Sequence, residues 1–153
     1  MKVLGIRVDP QRTRYALVEY DGNNFTLLNS NSESRLVYPA DISEPEDKVE
    51  WLYHELGRVF HSHQGVETVC VKTNEYTQND SKSKRESAYL EGAVLLFCKS
   101  KNVPVTVKIY GSLATRSADV RKHAEERVGR TTKYWDNKMA DAVIAAWQGA
   151  RNL

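Results

Sequence analysis

The chain has 153 residues, 41% of them hydrophobic and 27% charged, the balance of one ordinary domain that can bury a core without staples. The 22 Lys and Arg against 20 Asp and Glu leave a net charge of +2, too small by itself to imply nucleic acid or a membrane surface. No apolar run approaches the roughly 20 residues of a membrane span, and the start, MKVLGIRV, turns polar too soon for a secretory leader, so a cytoplasmic protein is the expectation.

Residues 2–8, KVLGIRV, alternate and predict a strand, broken by Asp9-Pro10-Gln11-Arg12. Residues 14–20 predict a second strand. Asp21-Gly22-Asn23-Asn24 is a hairpin turn, because Gly and Asn tolerate positive φ, and residues 25–30 return as a third strand. Residues 31–43 contain Pro39 and read as a loop that could carry a short extended piece at 35–38. Ser43-Glu44-Pro45-Glu46 reads as a helix start with Ser43 as cap. Val49, Leu52, Tyr53, Leu56, Val59 and Phe60 then recur at helical spacing, up to an end between His61 and Gly65.

Residues 67–72 predict a fourth strand and 73–83 an exposed, mobile loop. Residues 84–101 predict a helix with Leu90, Val94, Leu95 and Cys98 on one face, and 103–110 a fifth strand. A polar helix is expected over 117–128. A final apolar helix is expected over 136–150, with Ala140, Val143, Ile144 and Trp147 inward. The order βββ-α-β-α-β-α-α requires a mixed sheet covered by helices, in a single domain over residues 1–153. Cys70 and Cys98 lie in apolar runs and read as buried free thiols rather than a disulfide.

Four pieces, in order, resemble the RuvC Holliday-junction resolvase family. LGIRVDPQRTRYALV is similar to the family's first strand and turn, VCVKTNEY to its next catalytic strand, AYLEGAVLLF to its glycine-bearing helix, with Gly92 at the glycine, and NKMADAVIAAW to its last helix. The resemblance implies a ribonuclease-H-like α/β fold, a mixed five-stranded sheet with helices on both faces. It also implies a dimer, and a site where carboxylates hold two Mg²⁺ or Mn²⁺ ions for phosphodiester cleavage. At the positions matching those carboxylates this sequence has Arg7, Lys72, Lys138 and Asp141. Three cations in place of three acids repel a divalent ion, which asks for oxygen ligands.

Two readings of these cations are open. They contact phosphates directly, giving affinity without sequence readout, or they pair with Asp141 and with neighbours such as Asp9 and Glu75, filling an abandoned cleft. At least one pair to Asp141 is expected either way, since buried charges need partners. A displaced acidic site must also be weighed: Asp9, Glu75, Asp136 and Asp141 could together hold Mg²⁺ or Mn²⁺. The local uses compete with it, Asp9 as a turn residue before Pro10 and Asp136 as a helix cap.

Tyr76 with Lys82, Lys84 and Arg85 makes a basic, aromatic-bearing segment suited to nucleic acid, or else a solvated helix start. The mixed charges over 116–133 read as a solvated face. His54, His61, His63 and His123 lack partners at zinc spacing, and Trp51, Trp135 and Trp147 read as core or interface anchors. No P-loop, dinucleotide fingerprint or Ser-His-Asp order occurs.

The leading expectation is a non-catalytic RuvC-like protein that needs no cofactor. It binds nucleic acid, DNA before RNA, or serves as a subunit of a nucleic-acid-handling complex. A metal-dependent nuclease with the displaced acids, and a purely structural interaction subunit, are the alternatives.

Overall fold

In the computed structural model, which describes residues 1–152, the chain is organised around one close approach. A Cβ on Gly5 would lie 1.9 Å from the carbonyl oxygen of Ala142 and 2.6 Å from the backbone nitrogen of Ala146. Only a glycine on the first strand, β1 (Lys2–Arg7), lets the Ala-rich last helix, α4 (Asn137–Arg151), lie backbone to backbone on it. Asp141, one residue before Ala142, is thereby brought against Arg7, two residues after Gly5.

β1 pairs antiparallel with β2 (Arg12–Tyr20). β2 is long enough to carry two short strands on its outer edge: β3 (Phe25–Leu27) at its end and β4 (Arg35–Val37) at its start. Between them the buried Asn29 stands in for the ladder. Its amide oxygen accepts from the Leu17 N–H at 2.9 Å, and its amide nitrogen donates to the carbonyls of Tyr15 and Glu33, both at 3.0 Å. On the other side β5 (Val66–Lys72) and β6 (Val105–Lys108) add in parallel. The sheet therefore has six strands, in the order β3-β2-β1-β5-β6 with β4 beside β2. The expected five become six because residues 35–37 pair as a strand. Three residues with one buried side chain, Leu36, carry too little alternation to announce one.

The helices α1 (Pro45–Ser62) and α2 (Lys82–Ser100) make the crossovers and cover one face, with Leu52, Leu56, Val59, Leu90, Val94 and Phe97 in its core. A 3-10 turn (Tyr110–Leu113), α3 (Val120–Arg127) and α4 cover the other. The single polar helix expected over 117–128 is α3 alone, and the fifth strand ends at Lys108 so that Tyr110 can turn over the sheet. Ser43 does not cap α1. Glu44 is the cap residue, without a side-chain bond, and Pro45 opens the helix. Leu95 faces solvent with Leu96, because Ala93, Val94 and Phe97 fill the inner face of α2. Both cysteines are buried and free. Among the described residues no helix is long and apolar enough to cross a membrane.

Candidate functional site: four ion pairs at the end of the sheet

The sequence places Arg7 at the last position of β1, on the parity of Val3 and Gly5, and so on the α4 face. Its Nε donates to Asp141 Oδ2 at 3.0 Å and its Nη2 to Asn74 Oδ1 at 2.8 Å. Asp141, 1% exposed, accepts on its other oxygen from the Tyr110 hydroxyl at 2.7 Å. Burial pushes the Asp141 carboxyl above its ordinary value, opposed by that hydroxyl and by the charges of Arg7 and Lys72.

Lys72 ends β5 and is itself buried. Its ammonium donates to the Thr73 carbonyl, pairs with Glu75 at 3.1 Å, and sits 3.9 Å from the centre of the Tyr110 ring. Burial lowers its affinity for a proton, while Asp141 and Glu75 hold the proton on. Lys138, one turn before Asp141, does not reach that carboxylate. Its ammonium pairs with Asp9 at the half-buried lip of the site. Burial works against the Asp9 charge, but Lys138 and the N–H groups of Gln11 and Arg12 outweigh it and hold the carboxyl below its ordinary value.

Asp136 caps α4, accepting from the Met139 N–H at 2.8 Å, and its second oxygen accepts from Arg14 Nη2 at 3.0 Å. The acids weighed as a displaced metal cluster thus each face a different cation: Asp9 with Lys138, Glu75 with Lys72, Asp136 with Arg14 and Asp141 with Arg7. Among the described residues no three His, Cys, Asp or Glu side chains converge as a ligand set. This donor set, already accepting from four cations, does not fit a divalent ion that needs several free oxygens.

Strand register sets a larger pattern. Arg35 pairs with Arg14, Arg14 with Arg7, and Lys72 with Lys108. Ile6 pairs with Val71, which brings Arg7 level with Lys72. Paired residues point to the same face, so five cations form a row across the sheet on the α4 side, neighbours about 5 Å apart. The segment from Tyr134 to Asp141 covers three of the five: Asp141 on Arg7, Asp136 on Arg14, and the Tyr134 ring 3.4 Å from the Arg35 guanidinium.

Sequence reasoning missed Arg14, Asn74, Tyr110 and Glu91. Arg14 was visible as a cation on the buried parity of Ala16 and Val18. Glu91, on α2, accepts from the Thr73 hydroxyl at 3.0 Å, and its other oxygen is buried without a partner among the described residues. Burial raises its carboxyl above the ordinary value.

The exposed segment expected to meet nucleic acid lies beside this site. Tyr76 is 79% exposed. Lys82, almost fully exposed, pairs loosely with Glu86 at 4.0 Å. Lys84 and Arg85 are held locally, Lys84 by Thr77 at 2.6 Å and Arg85 by Asp80 at 2.6 Å. Trp51 packs tilted against Tyr38 with ring centres 4.8 Å apart, and the guanidiniums of Arg127 and Arg151 each lie 4.3 Å from the Trp147 ring centre.

An antiparallel hairpin, two parallel crossovers and a final helix laid on the first strand define a ribonuclease-H-like domain. No protein-family model and no curated protein sequence matches the chain. Among solved structures it is similar to Thermus thermophilus RuvC, with TM-score 0.78 and 18% identity over 98% of this chain and 93% of that one. T. thermophilus RuvC in complex with Holliday junction substrate gives TM-score 0.76 and 19% identity over the same shares. The yeast mitochondrial Holliday junction resolvase Ydc2 gives TM-score 0.64 and 14% identity, over 96% of this chain and 78% of that one. Fowlpox virus resolvase with its substrate Holliday junction DNA gives 0.57 and 12%, over 99% and 98%. At such identities the likeness is one of fold, and it is the fold that the sequence resemblance implied.

Proposed function

We propose that this protein binds branched DNA, in the cytoplasm, and does not cleave it. The observation that carries the reading is the one-to-one pairing of Asp9, Glu75, Asp136 and Asp141 with Lys138, Lys72, Arg14 and Arg7. Carboxylates that would hold catalytic ions are spent on cations, so the fold keeps its shape for DNA without the charge that activates water. The ligand class is taken from the structural relatives recorded with Holliday junction DNA. Arg7 and Lys72 are buried and paired, so their part is to hold the sheet's end together. Phosphate contact falls to the exposed cations beside them, Lys82, Arg85 and the half-exposed Lys138, with Tyr76 available to stack on a base.

The test is a binding titration on a four-way junction and on plain duplex across a salt series, run beside a cleavage assay with Mn²⁺. Preferred binding of the junction, weakening steeply with salt and further in Lys82→Ala, with every strand left intact, is the expected result. Cleaved strands that disappear in Asp141→Ala would make it a nuclease. No binding to any DNA would leave the protein-subunit reading.

One observation favours self-association as a second property. Tyr89, Leu95 and Leu96 are exposed on α2, beside an apolar groove with Val49 and Tyr53 of α1. The dimer implied by the resemblance would use this face, and Leu96→Lys should then convert a sedimenting dimer to a monomer.

A further inference from the structure

The outer end of the cation row, where the Tyr134 ring meets Arg35, opens into a cavity of about 340 Å³. Its walls are the loops over residues 30–34 and 132–134, completed by Arg35 and Val37 of β4, and the loops are fixed in advance. The Thr132 N–H donates to the Ser30 carbonyl at 2.9 Å, and the Thr131 hydroxyl to the Lys133 carbonyl at 2.7 Å. Asn29 anchors the base of the first loop through its three backbone bonds.

The cavity holds an aromatic ring, a stacked guanidinium and an exposed ammonium. Tyr134 is 54% exposed, on a left-handed backbone (φ 63°) that an aromatic residue rarely adopts. That conformation turns its ring onto Arg35, whose guanidinium lies 3.4 Å from the ring centre. Lys133, exposed, stands beside it, and the Ser32 hydroxyl and the Asn31 amide, whose oxygen accepts from the Thr132 hydroxyl, add neutral polar groups. The one acid at the wall, Glu33, is already taken by Arg58 at 3.0 Å and by the Tyr15 hydroxyl at 2.7 Å. An aromatic–guanidinium platform next to an exposed cation suits a flat ring joined to a phosphate.

We propose that this cavity binds one unpaired nucleotide, its base stacked on the Tyr134–Arg35 platform and its phosphate on Lys133. The inference rests on the nucleic-acid reading above for its setting, and it adds a base-binding site two strands away from the Arg7 pair. A nucleotide within a DNA strand and a free mononucleotide share this chemistry, so both are probed.

The experiment pairs two readouts on the full chain. A four-way junction with an unpaired arm carrying a single 2-aminopurine reports stacking by fluorescence quenching and affinity by titration. Backbone NMR shifts on titrating dAMP report the cavity directly. Expected are quenching in the wild type and in Tyr134→Phe, loss of quenching with about tenfold weaker binding in Tyr134→Ala and Arg35→Gln, and dAMP-induced shifts confined to residues 30–35 and 132–134. Unchanged quenching and affinity in both variants, with no dAMP shifts, overturn the inference and leave the DNA reading standing. Shifts with dAMP but no binding of any DNA keep the cavity as a mononucleotide site and remove the DNA reading. Neither signal removes both.

Discussion

Truncating Asp141 to alanine separates a site rebuilt from ion pairs from one that keeps carboxylates for metal. The substitution takes away the acceptor of the 3.0 Å bond from Arg7 and of the 2.7 Å bond from Tyr110. It leaves a guanidinium that is 8% exposed and always protonated, with Asn74 as its remaining side-chain partner. Removing one member of a buried pair costs about 3–5 kcal/mol. The surviving Asn74 contact puts the expectation at the lower end, about 3 kcal/mol, a large part of the roughly 5–15 kcal/mol that holds a domain folded. At about 2–4 °C per kcal/mol for this chain length, the melting temperature should fall by about 6–12 °C. In a cluster of mutually repelling carboxylates the sign reverses, because deleting one acid from the metal-free protein relieves repulsion. The assay is thermal and urea unfolding, followed by circular dichroism in metal-free buffer. The double variant Arg7→Met, Asp141→Leu serves as control. It removes both charges together and should recover most of the loss. An Asp141→Ala protein as stable as the wild type, or more stable, would falsify the pairing argument.

Glu91→Gln should stabilise the protein at neutral pH. Burial holds the Glu91 carboxyl above its unfolded value of 4.5, so the native state binds that proton more tightly and the wild type loses stability as pH rises through the interval. The variant's advantage in urea melts should be near zero at about pH 4 and about 1 kcal/mol at neutral pH; a constant difference across pH would contradict the assignment. Burial pushes the Cys98 thiol up to about 11 and raises Cys70 as well, so Ellman's reagent at about pH 8 should find both thiols only after denaturation. Titration of the native protein would show that one of them is accessible. Gly5→Ala places a methyl within 1.9 Å of the Ala142 carbonyl oxygen, which should cost about 3 kcal/mol or prevent accumulation of folded protein. Near-wild-type urea stability would mean that α4 can lift from β1 at little cost.

Much of the fold was legible because its long elements carry strong periodicity. The alternation of KVLGIRV, the turn at Asp21-Gly22-Asn23-Asn24 and the apolar stripe of α1 each fix a local structure on their own. The short pieces were not legible. β4 exists because the start of β2 has a free edge to offer residues 35–37, and that edge is invisible in the sequence of either segment. Leu95 sits among apolar neighbours, yet it points outward because the buried stripe of α2 runs through Leu90, Val94, Phe97 and Cys98 at helical spacing and Leu95 falls off it.

Which residues carry charge at the end of the sheet, and on which parity they stand, is set along the chain: Arg7 after the alternation of β1, Lys72 at the close of β5, and Asp141 in the ADA of the last helix. How those charges are spent follows from packing. The Gly5–Ala142 contact sets Asp141 on Arg7 rather than on Lys138, and the β2–β4 register extends two buried cations into a row that ends at Tyr134. Charge is a local property of a side chain, but its partner lies up to 134 residues away. A contact at that separation is fixed by strand register and by the distance between packed backbones, quantities that no local pattern encodes.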